Sequence, residues 1–238
     1  MCIRDRIRAY DSDVQVWKSK EHGTASYAGL QTCGSVWACP VCAAKISERR
    51  RAELEALIAA HVAAGGYVLL VTRTFPHQRS DVLSDVLDQL AKAEASYKAH
   101  RDYKTFAKAF GLVGTVRAVE TTYGGNGWHP HVHELLFLSV PVALDDLEED
   151  LFRIWQGAAV RAGFPSPCRA HGLQLQDGTK AAKYASKWGL ESELTQWHRK
   201  RGKIDSQTPF DLLRQVFDTQ DKQAAALFRE YAEAFHGR

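Results

Sequence analysis

Two stretches of this chain have the residue types and spacing to do chemistry. The first is His129-Pro130-His131-Val132-His133. The apolar run that follows, Glu134-Leu135-Leu136-Phe137-Leu138, reads as a strand, so side chains alternate between its faces. His131 and His133 therefore point the same way, about 6–7 Å apart along the strand. Two imidazoles so spaced can bind one divalent cation if a neighbouring strand supplies a third ligand. Val132 faces the other side and serves the core. His129 keeps the parity, but Pro130 and the adjacent turn set it apart, and it is not counted as a ligand. Against this stands the plainer reading of paired strand histidines as a polar face.

The turn Gly124-Gly125-Asn126-Gly127 predicts a hairpin that brings a preceding strand alongside. Centred on Gly125-Asn126, it sets Glu120 opposite His131; centred on Asn126-Gly127, it sets Glu120 opposite His133. In either register Glu120 shares the histidine face, with Cβ atoms about 4.5–5.5 Å from its partner. A one-residue slip would remove it, because slippage flips a strand's faces. One glutamate and two histidines suit Mn²⁺ or Mg²⁺ with positions left for substrate oxygens. Lacking thiolates, the set is less apt for a closed structural zinc.

The second stretch is Thr179-Lys180-Ala181-Ala182-Lys183-Tyr184-Ala185-Ser186-Lys187-Trp188. On a helix Lys180, Tyr184 and Lys187 share a face, and Lys183 lies one turn from Lys187. Free tyrosine titrates near pH 10, roughly, and is a poor nucleophile at neutrality. Nearby lysines favour the phenolate and attract phosphate, so Lys180 and Lys183 are candidate DNA contacts. A metal-polarised phosphodiester would let Tyr184 attack covalently and conserve the bond energy. The plainer reading is a tyrosine packed on the core with its lysines in water.

A third cluster, Cys33, Cys39 and Cys42, has the C-x5-C-x2-C spacing. Cys-x-x-Cys is the usual half of a structural Zn²⁺ site. Cys2 and His22 are candidate fourth ligands, with Cys168 more distant. The triple arginine beyond it places Arg49 and Arg50 where they could meet DNA phosphates. The plainer reading is three reduced, buried cysteines.

The elements that must position these groups follow from periodicity. Helices are predicted over about 43–63, with Ile46, Leu54, Leu57, Ile58 and His61 or Val62 on one side, then over 82–100, with Leu83, Val86, Leu87, Leu90 and Ala93 on the buried side, and over 103–110, 145–162, 178–188, 210–217 and 222–235. Strands are predicted over 67–74, 112–123 with Val113, Val116 and Val119, from the turn to about Val140, and over 172–176; residues 1–32 suggest a small hairpin. A hairpin pair with helices between strands argues for α+β architecture: an antiparallel sheet with helices packed on it. Three segments are expected: 1–64 with the cysteines and the basic helix, 65–192 as a catalytic domain, and 193–238 as a helical segment.

Composition bounds the class. The 238 residues are 45% hydrophobic and 25% charged, with a net charge of +3. That suits a cytoplasmic globular protein rather than a membrane protein, and the mild charge does not by itself demand nucleic acid. The five cysteines come without a visible signal peptide, which favours metal binding over disulfides. The charged opening Met1-Cys2-Ile3-Arg4-Asp5-Arg6 is an odd start for a domain and reads as a fragmentary frame.

His-Val-His on a strand, followed some fifty residues later by Tyr-x-x-Lys on a helix, resembles the HUH endonucleases. More closely it resembles plasmid rolling-circle replication initiator (Rep) proteins with a single catalytic tyrosine. The matching stretches are Cys33 to Cys42, Val71-Thr72-Arg73-Thr74, Gly127 to His133 and Tyr184-Ala185-Ser186-Lys187-Trp188-Gly189, and the likeness spans roughly residues 25 to 236. The resemblance implies an HUH-type sheet of five antiparallel strands with the metal site at its centre. It implies His131 and His133, with Glu120 as the third, as metal ligands, Tyr184 as nucleophile and Lys187 at the phosphate or the metal site. It further implies nicking of single-stranded or cruciform origin DNA, a 5′-phosphotyrosine intermediate, and a host helicase and DNA polymerase as partners. Where some initiators carry a glutamate for termination, this chain has Lys180, so that role is unassigned. An HUH transposase or relaxase, and a non-catalytic zinc-containing DNA-binding protein, are the alternatives.

Overall fold

The computed structural model describes residues 15–21, 23, 25–28, 33–178 and 206–238. The chain forms two compact units, residues 1–47 and 48–238.

In the first unit, β1 (Gln15–Lys18) and β2 (Ala25–Ala28) pair antiparallel, which is the small hairpin expected there. The cysteine loop follows. Helix α1 (Pro40–Ala63), whose residues from Glu48 onward belong to the second unit, starts three residues earlier than predicted. Pro40 suits a first helical position, because its missing N–H would be unpaired there anyway.

The second unit is built on a five-stranded, fully antiparallel sheet, so the α+β expectation holds. Its strands are β3 (Tyr67–Arg73), β4 (Leu112–Gly124), β5 (Gly127–Leu138), β6 (Leu173–Asp177) and β7 (Ser206–Gln207). They lie in the order β6-β3-β5-β4-β7. Neither β7 nor the single turn α5 (Arg169–Gly172) was foreseen, since two-residue and four-residue elements carry no periodicity.

The central strands are apolar on both faces because both faces are covered. On one face Val68, Leu70, Leu135 and Phe137 pack against Leu54 and Ile58 of α1. Leu57, expected on that side, is exposed; the buried positions step by four residues, and Leu57 lies off that line. On the other face Leu69, Val71, Val132 and Leu136 join the core formed with α2 (Leu83–Ala99) and α4 (Leu144–Arg161). Helix α3 (Arg101–Ala109) adds Tyr103 and Phe106 to it. The sequence reading placed Val113 in the strand with Val116 and Val119. The register shifts between Leu112 and Gly114, and Val113 is left in a bulge facing solvent.

Two C-terminal helices, α6 (Pro209–Thr219) and α7 (Lys222–Ala234), confirm the predicted pair. Thr208 and Asp211 cap α6 reciprocally, and the Asp221 carboxylate accepts from the Gln223 and Ala224 amides at the start of α7. Tyr231 of α7 is buried and stacks on Trp128, which anchors these helices beside the β4–β5 hairpin. The predicted helix 178–188 lies outside the described residues, apart from Gly178.

Candidate metal centre

The β4–β5 turn selects one of the two registers. Gly124 pairs with Gly127 across Gly125-Asn126, and Glu120 lies opposite His131. Of the turn residues only Gly127 takes a positive φ, 87°, whereas a type I′ turn needs it at both central residues. A Cβ on Gly127 would stand 2.8 Å from the Arg79 Cα, so the approach of the 78–79 backbone also requires glycine.

This register brings Glu120, His131 and His133 together, one ligand atom from each within 4.8 Å of the others. Glu120 Oε2 is 3.5 Å from His131 Nε2 and 3.3 Å from His133 Nε2. The far nitrogens are held from behind. His133 Nδ1 is 3.0 Å from Thr72 Oγ1, and His131 Nδ1 is 3.4 Å from the His129 carbonyl oxygen. Ligating histidines characteristically have the second ring nitrogen so engaged. His133 Nε2 is buried and makes no hydrogen bond. An orphaned buried nitrogen aimed at a carboxylate and a second imidazole fits a cation well.

His129 is not in the cluster. Its Nδ1 is 3.2 Å from Nδ1 of His77, and its ring stacks on His131. Burial and the neighbouring His131 and His77 push its pKa down to about 4. His77 was missed in the sequence; its only signal was a histidine just beyond the end of the strand that pairs with the histidine strand. His77 and His129 also line a cavity of about 310 Å³ with Thr74, Asn126 and His171.

Beneath the histidines, on the other sheet face, lies a charged cluster that hydrophobic patterning did not predict. Arg73 is fully buried and donates to Glu94, twice at 2.8 Å, and to Glu134 at 2.7 Å. Lys98 reaches the second Glu134 oxygen at 2.6 Å. The Arg73 guanidinium also lies 4.7 Å from the centroid of the Tyr97 ring. Burial pushes the Glu134 pKa up, but Arg73 and Lys98 outweigh it and hold the carboxyl below its ordinary range.

In the first unit the sulfur atoms of Cys33, Cys39 and Cys42 also lie within 4.8 Å of one another. Cys33 Sγ is 3.5 Å from Cys42 Sγ, and the Cys42 amide donates to Cys39 Sγ. Burial raises the Cys33 pKa, but the Ser35 amide and the two other thiols more than offset it and hold it below the ordinary thiol value. Three converging sulfurs fit a soft cation such as Zn²⁺. Of the suggested fourth ligands, Cys2 and His22 lie outside the described residues.

On α1, Arg49 pairs with Glu53 at 2.8 Å, and Arg51 pairs with Glu48 and Glu55. Arg49 and Arg50 are exposed. Lys180, Lys183, Tyr184 and Lys187 lie outside the described residues. Among the described residues no helix is long and apolar enough to cross a membrane.

Comparison with known proteins adds an independent line. The profile of the replication protein family matches residues 27–142. A protein named Protein rep, from Streptomyces lividans, is 28% identical over 91% of this chain and 62% of its own length. A protein named Neomycin resistance protein, from Streptomyces cyanogenus, is 33% identical over 49% of this chain and 32% of its own length. The chain thus spans less than two thirds of either curated relative. No solved structure matches.

Proposed function

We propose that this chain, which carries the replication protein family's pattern over residues 27–142 and is akin to plasmid Rep proteins, is a metal-dependent DNA-nicking endonuclease and strand transferase of the HUH type. It would initiate rolling-circle replication at a plasmid origin. The observation that carries this reading is the convergence of Glu120, His131 and His133 on one sheet face, inside the family-matched region.

Glu120, His131 and His133 would hold Mn²⁺ or Mg²⁺, which when bound supplies positive charge to a phosphate oxygen. Tyr184 is the proposed nucleophile. Its phenolic oxygen attacks the scissile phosphorus, the P–O3′ bond breaks, and the strand's 5′ phosphate becomes a tyrosine ester. The departing 3′ oxygen takes up a proton and leaves as the free 3′-OH that primes synthesis. Lys187 and its neighbours Lys180 and Lys183 would lower the cost of the phenolate and hold the phosphate. Arg49 and Arg50 would add contacts to the DNA backbone. The Cys33, Cys39 and Cys42 thiolates would hold a structural Zn²⁺. A cytoplasmic location, with a host helicase and polymerase acting after the nick, completes the reading.

The test is incubation with Mn²⁺ and labelled single-stranded origin DNA, followed by a denaturing gel. A covalent protein–DNA adduct is expected from the wild type and none from Tyr184→Phe. Equal cleavage by both proteins would overturn the reading. So would full origin binding with no cleavage by either, which is the outcome a non-catalytic zinc DNA-binding protein gives.

A further inference from the structure

We propose that Thr72 is a positioning residue for the metal centre: its hydroxyl holds the His133 ring in the tautomer whose Nε2 carries the lone pair. The inference rests on the metal reading of Glu120, His131 and His133 and adds the residue that prepares one of them.

The two histidines have different partners behind them. His131 Nδ1 faces the His129 carbonyl, which can only accept, so that nitrogen carries the proton and Nε2 is left basic. A backbone group makes this choice. His133 Nδ1 faces the Thr72 hydroxyl at 3.0 Å, a group able to donate or accept. The surroundings of Nε2 decide between the two. A cation held with Glu120 and His131 needs the Nε2 lone pair, and Nε2 makes no hydrogen bond that would claim it. With the proton on Nδ1, Thr72 accepts it, and the bare Nε2 faces Glu120 and the His131 ring, ready for a cation.

The placement of Thr72 is not incidental. Thr72 pairs directly with His133 in the β3–β5 register. The adjacent residues Arg73 and Glu134 lock that register from the other face through their 2.7 Å ion pair. Thr72 is therefore held opposite the ring by a rigid pairing, as a residue that orients a metal ligand must be.

The test uses the full chain without DNA and two variants. Thr72→Val keeps the shape and the strand preference but lacks the hydroxyl; Thr72→Ser keeps the hydroxyl. Mn²⁺ affinity is measured by calorimetry, and the ring ¹⁵N shifts of His133 are read with diamagnetic Mg²⁺ bound. Thr72→Val should bind Mn²⁺ about 10–100-fold more weakly and lose the pure Nδ1–H tautomer, while Thr72→Ser stays within about threefold of wild type. Unchanged Mn²⁺ affinity in Thr72→Val, or equal weakening in both variants, would overturn the role of Thr72 and leave the metal centre standing. A wild-type chain that binds no Mn²⁺ would overturn the metal centre and this inference together.

Discussion

Arg73 and Glu134 form an ion pair of 2.7 Å in which neither side chain is exposed, on the sheet face opposite His131 and His133. A buried pair of this kind adds little relative to an apolar substitute, but removing one partner strands the other's charge. Its value here is registry: it fixes β3 against β5 where Thr72 must meet His133.

Arg73→Ala leaves two buried carboxylates each with a single, partly exposed partner, Arg117 at 3.5 Å for Glu94 and Lys98 for Glu134, so it should cost about 3–5 kcal/mol of stability in urea unfolding at neutral pH. The pH dependence has a definite sign. A carboxyl held below its ordinary value of 4.5 stabilises fully above that pH and loses the contribution as pH falls through its lower folded pKa. The gap between wild type and Arg73→Ala should therefore narrow as the pH drops below 4.5. A gap that widens in acid would contradict this account of Glu134.

Glu120→Gln removes the carboxylate while keeping the shape. Mn²⁺ affinity should fall by more than the roughly 10–100-fold of an outer-shell change, with the melting temperature in metal-free protein little altered. Calorimetry and a thermal melt in chelator check both halves. Undiminished Mn²⁺ binding would remove Glu120 from the ligand set.

Gly127→Ala combines a left-handed backbone, φ 87°, with a Cβ 2.8 Å from the Arg79 Cα. The backbone conformation alone costs about 1–2 kcal/mol, and the contact adds to it. The hairpin must shift, so Mn²⁺ affinity should fall along with stability. Asn126→Ala, one residue away with ordinary φ, should leave affinity near wild type and serves as the control.

Purified protein should release Zn²⁺ to a chromogenic chelator once its thiols are titrated with a mercurial, and Cys42→Ser should release much less. Mn²⁺ binding at the β4–β5 site should be retained in that variant. A wild type free of zinc after expression in zinc-replete medium would argue for three reduced thiols instead.

Much of the fold was legible where local periodicity is strong. The buried residues Leu83, Val86, Leu87, Leu90 and Ala93 repeat at helical spacing and form the inner side of α2 as expected. Legibility failed where the deciding contact is distant. Leu57 sits in an apolar-looking stretch yet faces solvent, because the sheet offers α1 only a narrow line of contact through Leu54 and Ile58. Glu134 read as part of an apolar run, and nothing near it in sequence announces Arg73 or Lys98 as partners.

The sequence by itself determined that Glu120, His131 and His133 share a face. Strand alternation has a period of two residues, and a glycine-rich turn limits the register to a few values, so a local pattern suffices. Tertiary structure alone decided which register holds and what stands behind each ring. Gly127 takes its left-handed conformation under the 78–79 backbone, which sets Glu120 opposite His131. Thr72 meets His133, and His77 meets His129, because β3 inserts beside β5 in the order β6-β3-β5-β4-β7. Pairing between strands separated by a long excursion of chain depends on how both sheet faces pack, and no local spacing encodes that.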